Sequence, residues 1–242
     1  MYYYTKKKPS KLRKYLLAIL YIFFFQIFIY QPFKIPSTSM EPNLRIGDYL
    51  ILDKSSYGFN LSSCLLYLNR LIKTKFMIHT SIVDRGDIVV FTSGFDDKIY
   101  YVKRVIGLPG DLIQIFDFTQ IYINGKLVER EQVADIWCNQ TELNTIHVET
   151  LPNGKSYVIS LLTDYLQNFP HYVQHVYRIP SKCFFLMGDK RNKSIDSRLP
   201  EIGYIEEYKI SGKVKMIFFN SYLNIKNLFV LSYLNRFFNI ID

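Results

Sequence analysis

Residues 15–33, YLLAILYIFFFQIFIYQPF, contain no charged side chain. As a helix the run would rise about 28 Å, close to the roughly 30 Å hydrocarbon core of a bilayer, so it reads as a single membrane span. A cleaved secretory signal shares the order basic, apolar, polar. No small-x-small pattern lies between Tyr30 and Pro36, and bulky Tyr30, Phe33 and Ile35 stand where one would be needed, so an uncleaved anchor is expected. The preceding tail carries Lys6, Lys7, Lys8, Lys11, Arg13 and Lys14 with no acid, six of the chain's nine net positive charges. Charge gathered there marks a membrane flank and not a nucleic-acid groove. By the positive-inside rule the tail stays cytoplasmic and everything after Phe33 lies on the far side.

At 242 residues the chain can hold one large domain or two small ones, with a core that needs no disulfide staples. Its three cysteines, Cys64, Cys138 and Cys183, are widely spaced without any C-x-x-C, which argues against a zinc site. Cys64 and Cys183 sit in apolar runs and are expected to be ordinary buried side chains. A bridge between Cys64 and Cys138 stays open. His171 and His175 are spaced i, i+4, but Pro170 precedes them and no H-E-x-x-H accompanies them, so a loop or strand surface is expected there. Neither metal nor organic cofactor is implied.

Beyond the apolar run the pattern is short strands and turns. Strands are expected at 49–52, 87–91, 99–106 and 183–187 and in SYVISLL and GKVKMIFF, with a hairpin reversing at Asn124-Gly125. Residues 55–80 read either as a short helix or as a hydrophobic insertion facing the membrane. Residues 129–178 read as an excursion from the main sheet, and 223–241 as an interfacial helix. The expected fold is mainly β: a cytoplasmic tail over 1–14, a transmembrane helix over 15–33 and an all-β catalytic domain over 34–242. Its core would draw on about 34–54, 81–128 and 179–222.

PSTSMEPNL, residues 36–44, lies just past the span. Its prolines favour a stiff, extended backbone that presents Ser39. A serine hydroxyl needs a neighbouring base to act as a nucleophile near neutral pH. Lys103 is the candidate, since it sits in an apolar strand between Val102 and Arg104-Val105-Ile106, where side chains alternate and Lys103 and Arg104 must point opposite ways. A lysine must fall from about 10.4 to roughly 7 to 8 to serve as a base, a change of about 4 kcal/mol that burial can supply. Ser39 lies only six positions past Phe33, about 20 Å of extended chain at most, so Ser39 would work close to the lipid surface.

Four stretches in this order, PSTSMEPNL, RGDIVVF, YVKRVIGLPGD and MGDKRNKSIDSR, behind an N-terminal anchor, resemble the type I signal peptidase family. These are membrane-bound Ser/Lys proteases that remove signal peptides from exported proteins. Taken singly, Ser39 reads as a turn serine, Lys103 as a strand-edge lysine and Asp196 with Arg198 as a surface ion link. The resemblance implies Ser39 as nucleophile and Lys103 as general base. It implies an oxyanion hole from the Ser39 N–H and the Ser37 hydroxyl, and it makes Ser194 the serine that orients the lysine. Asp189, Asp196 and Arg198 would be a charged cluster holding the Gly-Asp loop to the site, and Ile35, Met40, Leu44, Tyr101 and Val102 would line shallow pockets for small residues before the cut.

One position departs from the family: Lys190 stands where asparagine usually follows Gly-Asp. Its ammonium is expected to point into solvent. The implied partners are signal-peptide-bearing preproteins emerging from the secretion machinery and the lipid bilayer, with no nucleic acid. The implied place is a bacterial inner membrane with the catalytic domain outside, a compartment without N-glycans, because the sequon at Asn192 lies inside the proposed loop. Two alternatives remain at this stage. One is a specialised maturation peptidase with the same dyad, of the conjugative-transfer or organellar processing type. The other is an anchored β-domain that binds a partner and has lost activity.

Overall fold

The computed structural model describes residues 11–28, 30–54, 59–60, 77–78, 83–93, 99–116, 120–138, 142–162, 174–221 and 239–241. Helix α1 (Lys11–Phe28) is followed by β1 (Tyr30–Lys34), β2 (Asp48–Asp53), β3 (Phe59–Asn60), β4 (Met77–Ile78), β5 (Ile88–Thr92) and β6 (Tyr100–Gly107). Then come β7 (Leu112–Phe116), β8 (Gln120–Ile123), β9 (Lys126–Leu127), β10 (Glu129–Cys138), β11 (Glu142–Thr150) and β12 (Ser156–Leu162). The chain closes with β13 (Gln174–Arg178), β14 (Cys183–Met187), β15 (Ile205–Glu206), β16 (Ile210–Asn220) and β17 (Asn239–Ile240). The molecule is mainly β, as expected.

The main sheet runs β1-β2-β16-β5-β6-β14-β15, with β17 also pairing β16. Every residue of β5 is buried, as befits a strand covered on both faces. β10, β11 and β12 make a second sheet, and a third runs β13-β7-β8-β9. The hairpin between β8 and β9 turns at Asn124 and Gly125, with φ of +52° and +78°, the left-handed pair that an Asn-Gly sequence tolerates.

One core cluster joins these three sheets. Ile106, Phe185 and Met187 of the main sheet pack with Ile113, Ile115, Ile121 and Ile123 of the hairpin and with Tyr157, Ile159 and Leu161 of β12. Full burial of such a side chain is worth about 1.5–3 kcal/mol, so the stretch read as an excursion is bound into the common core.

Within the apolar N-terminal run α1 extends as far as Phe28. Tyr30 to Lys34 leave it as an antiparallel strand on β2, where Pro32 faces Ile51. Proline explains this: Pro32 lacks an N–H and disfavours helix at Gln31, so the run expected to be one helix to Phe33 stops short. Among the described residues no helix is long and apolar enough to cross a membrane. α1 includes Lys11, Arg13 and Lys14, and its uncharged remainder, 15–28, rises about 21 Å.

At the other end Asn239 and Ile240 pair with Ile217 and Met216, so the last part of the expected interfacial helix is strand. Residues 222–238 lie outside the described residues. Of residues 55–80 only β3 and β4 are described, as an antiparallel pair. Cys64 and His171 also fall outside. Cys183 is half-buried with a free thiol that burial pushes up in pKa, and His175 lies on β13.

Candidate active site

The segment between β1 and β2 is fixed at both ends. The Ile35 N–H donates to the Asp48 carbonyl at 2.9 Å, and Gly47 donates back to Ile35 at 3.0 Å. Between them Glu41 N–H bonds to the Thr38 carbonyl and Leu44 N–H to the Met40 carbonyl, coiling the chain into a turn. Met40 and Leu44 anchor this turn in an apolar cluster with Ile35, Val102, Ile88 and Val90. Ser39 sits on the turn's inner side, 8 % exposed.

Lys103 lies mid-strand in β6, opposite Val89 of β5, and is 3 % exposed. Its Nζ donates to Ser39 Oγ at 2.5 Å. Burial drives its pKa down from 10.5 to about 8; Asp196 and Asp189 pull it back up, and Arg198 adds a smaller push down. The amine therefore loses its proton within reach of neutral pH while in contact with a hydroxyl.

Alternation along β6 turns Arg104 away from Lys103, and the guanidinium grips Asp189 through two bonds of 2.8 Å, Nε to Oδ1 and Nη2 to Oδ2. A third bond of 2.8 Å runs from its Nη1 to the Gly86 carbonyl, and the guanidinium stacks over the Tyr157 ring at 4.1 Å. Such a planar fork suits Arg where Lys would not serve.

The loop after β14 is laced to this floor. Gly188 N–H donates to Asp196 Oδ2 at 2.9 Å, and Arg198 clasps the same carboxylate with two bonds of 2.8 Å. Burial alone would raise the Asp196 pKa, but Arg198 and the Gly188 N–H hold it below the usual carboxylate range. Arg198 also donates to the Arg191 carbonyl at 2.7 Å, closing the loop on itself.

Ser37 Oγ lies 3.4 Å from Ser39 Oγ, although Ser37 is otherwise exposed. Ser194 Oγ is buried without a well-formed hydrogen bond, close enough to Asp196 to help hold that carboxylate's pKa down. No bond from Ser194 to Lys103 is formed in this state. Of the expected pocket residues, Ile35, Met40, Leu44 and Val102 come together in one cluster. Tyr101 does not join them: it lies on the opposite face of β6, stacked on Phe91 with ring centroids 5.7 Å apart.

Lys190 corrects an expectation. It is 8 % exposed and does not point into solvent, because its ammonium meets Glu41 Oε2 at 2.9 Å. A carboxylate two residues past Ser39 offers the charge a better partner than water at that depth.

Several residues here are invisible to a reading by motif. Asn43 Nδ2 donates to Asp189 Oδ2 and to the Val158 carbonyl, both at 2.6 Å. Glu149 of β11 is fully buried and receives Arg191 through both guanidinium nitrogens, Arg130 Nη2 at 2.6 Å and the Tyr157 hydroxyl at 2.8 Å. Burial would lift its pKa, yet Arg191 and Arg130 hold it below the ordinary range. The Arg in Gly-Asp-Lys-Arg was the only local signal for this network; the acid that answers it is 42 residues away.

The family described as Signal peptidase, peptidase S26, matches residues 10–219. A signal peptidase I of Rickettsia conorii is 35 % identical over 199 residues, which is 81 % of this chain and 74 % of that protein. One from Rickettsia massiliae is 32 % identical over 225 residues, 90 % of this chain and 84 % of the other. A solved signal peptidase I from Enterococcus faecalis V583 covers 55 % of this chain and 97 % of its own at 20 % identity and a TM-score of 0.34, too loose a superposition to carry weight.

Proposed function

The chain belongs to the signal peptidase family, peptidase S26, and from that premise we propose that it removes signal peptides from exported proteins with Ser39 as nucleophile and Lys103 as general base. The observation that carries the reading is the 2.5 Å contact between Lys103 Nζ and Ser39 Oγ, made by a buried lysine whose pKa falls to about 8.

As an ammonium Lys103 donates to Ser39 Oγ. Once neutral it accepts from the same hydroxyl. Ser39 Oγ then attacks the scissile carbonyl carbon as its proton passes to Lys103 Nζ, and the oxygen that gains the electron pair takes hydrogen bonds from the Ser39 N–H and the Ser37 hydroxyl. The resulting ammonium gives its proton to the leaving amine, the C–N bond breaks, and the peptide's acyl group stays on Ser39 as an ester. A water that surrenders its proton to neutral Lys103 hydrolyses the ester and restores the hydroxyl. Ser194 would steady the amine as it turns between these partners. The Ile35, Met40, Leu44 and Val102 cluster beside Ser39 would favour small side chains before the cut, and Tyr101, whose ring faces the other side of β6, could contribute there only through its main chain.

The reading includes a membrane anchor built from α1. Leu12, Tyr15, Leu16, Leu17, Ile19, Leu20 and Tyr21 are all more than half exposed, an apolar surface all round that suits lipid better than water. Behind a basic tail such an anchor would leave the N-terminus in the cytoplasm of a bacterial cell and Ser39 beside the outer leaflet of the inner membrane.

The decisive test is incubation of the detergent-solubilised chain with a precursor bearing small-x-small before its junction, followed by sequencing of the new N-terminus. Cleavage after that motif, lost in Ser39→Ala and in Lys103→Met, is the expected result. Processing by Ser39→Ala at the parental rate would sink the nucleophile assignment.

A further inference from the structure

The Lys190 head group reaches the Ser39 segment, as the Asp189 carboxylate does at Asn43, and nothing in the proposed chemistry uses it. Its backbone N–H donates to the Ser39 carbonyl at 3.0 Å, and its ammonium meets the Glu41 carboxylate at 2.9 Å. Residue 190 thus grips the nucleophile's own segment at two points, one on either side of Met40. With a single hydrogen bond to Ser39, rotation of that peptide would be opposed only by the packing of Met40 and the more distant Asn43–Asp189 bond. A second contact two residues on restrains that rotation directly.

Lys190 can act as a fixed post because it is itself held. Asp189 before it is locked to Arg104 and Asn43, Arg191 after it to Glu149, and Lys190 pairs as an isolated bridge with Ser160 of β12, whose N–H donates to the Asp189 carbonyl at 3.0 Å. The ion pair is partly withdrawn from water, with side chains 10 % and 29 % exposed. Its attraction is therefore less screened than that of a fully exposed pair.

We propose that the Lys190–Glu41 ion pair is a positioning clasp for Ser39, holding the hydroxyl at the distance Lys103 requires without itself setting the amine's charge. The inference rests on the reading of Ser39 as nucleophile. The carboxylate offsets the Lys190 charge, and the charges that act on Lys103 belong to Asp196, Asp189 and Arg198.

The test uses the full chain in detergent and the same small-x-small precursor. Lys190→Ala and Glu41→Ala are each expected to lower kcat about tenfold with KM within about twofold of the parent, since the loss is one of alignment and not of substrate binding. The double variant should be no slower than either single, and Lys190→Arg should restore most of the rate. The midpoint of kcat/KM against pH should stay where the parent has it. Amide hydrogen exchange in a peptide spanning 36–44 should quicken in Lys190→Ala while β5 and β6 keep their protection. Lys190→Met, which keeps the stem and the backbone donor, serves should the alanine variant fail to fold.

Parental kcat in both single variants, multiplying losses in the double, a displaced pH midpoint, or unchanged exchange over 36–44 would each overturn the clasp. Exchange is read without turnover, so it decides the clasp even if Ser39→Ala proves active and the nucleophile reading fails.

Discussion

Gly188 and Ser39 are in steric contact: a Cβ built on Gly188 would lie 2.6 Å from the Ser39 carbonyl oxygen and 2.2 Å from Ser194 Oγ. Distances that short are overlap, and the first is against backbone, which has little room to retreat. The loop of residues 189–198 can lie against the Ser39 turn only because residue 188 has no side chain. Gly188→Ala should displace that turn and lower kcat/KM about a hundredfold, as a shift near 1 Å in a reacting group does. The comparison is precursor cleavage by parent and variant, with circular dichroism to establish that both are folded. Parental turnover would mean that the close approach has no bearing on the chemistry.

The state of Lys103 sets a pH dependence. If the proposed base is the neutral amine, kcat/KM should rise with pH and reach half its upper limit near pH 8, where burial has brought the ammonium. Asp196 and Asp189 both raise that value, so Asp196→Asn, removing one of them, should move the midpoint to lower pH. Rate profiles of the two proteins between pH 6 and 10 measure this directly. A midpoint that moved upward would show that Asp196 acts on something other than the amine.

The same displacement has a cost in stability. From pH 8 to 10.5 the unfolded chain keeps a proton on residue 103 that the folded chain has shed, so stability rises through this window. Below pH 8 the whole penalty is present, on the order of 3 kcal/mol. Lys103→Met avoids it and should be the more stable protein at pH 7, with an advantage that fades above pH 8 and is gone beyond 10.5. Urea midpoints at pH 7 and pH 10 would reveal an advantage that does not depend on pH, and with it a different cause.

Glu149 offers the opposite case. Arg191 and Arg130 hold its carboxyl below the ordinary range, so its contribution is present above the unfolded pKa and lost as pH falls through the lower folded value. Breaking a buried pair of this kind typically costs about 3–5 kcal/mol because the remaining charges stay buried without it. Glu149→Ala should lose about that much at pH 7, and the double variant Glu149→Leu, Arg191→Leu should recover part of it. Chemical denaturation at pH 7 is the measurement; an undisturbed midpoint in Glu149→Ala would leave the network without energetic weight.

What the sequence disclosed was local. Ser39 stood out between prolines, Lys103 as a charge in an apolar strand, and Asn124-Gly125 as a turn, because each signal sits within a few residues of its effect. The strand at 183–187 was legible for the same reason. The partners of these residues were not. Glu41 and Lys190 are 149 positions apart, and Asn43 and Asp189 are 146 apart, so only the folded chain brings them together. Pro32 is a legible helix stop, but the hydrophobicity around it outweighs that signal, so from sequence β1 reads as the end of a helix. The resemblance implies both Tyr101 and Val102 as pocket residues, yet strand alternation sends adjacent side chains to opposite faces, as it does for Lys103 and Arg104.

Helix α1 raises the remaining prediction. From Leu12 to Tyr21 its large apolar side chains are exposed, and Lys11, Arg13 and Lys14 lie at its start. Water would penalise that surface by roughly 25 cal/mol for every Å² of apolar area, so the helix needs lipid, detergent or another apolar partner. If lipid is the partner, the full chain should remain with membranes after alkaline carbonate washing. Leu16→Arg together with Leu20→Arg should release it, because each buried arginine at mid-helix costs about 2.5–3.5 kcal/mol on insertion scales. The same double variant should cleave a short soluble peptide in detergent at the parental rate, since Ser39 and Lys103 are held by β2, β5, β6 and the loop after β14. Retention of the double variant in the washed membranes would show that something other than this apolar surface holds the protein there.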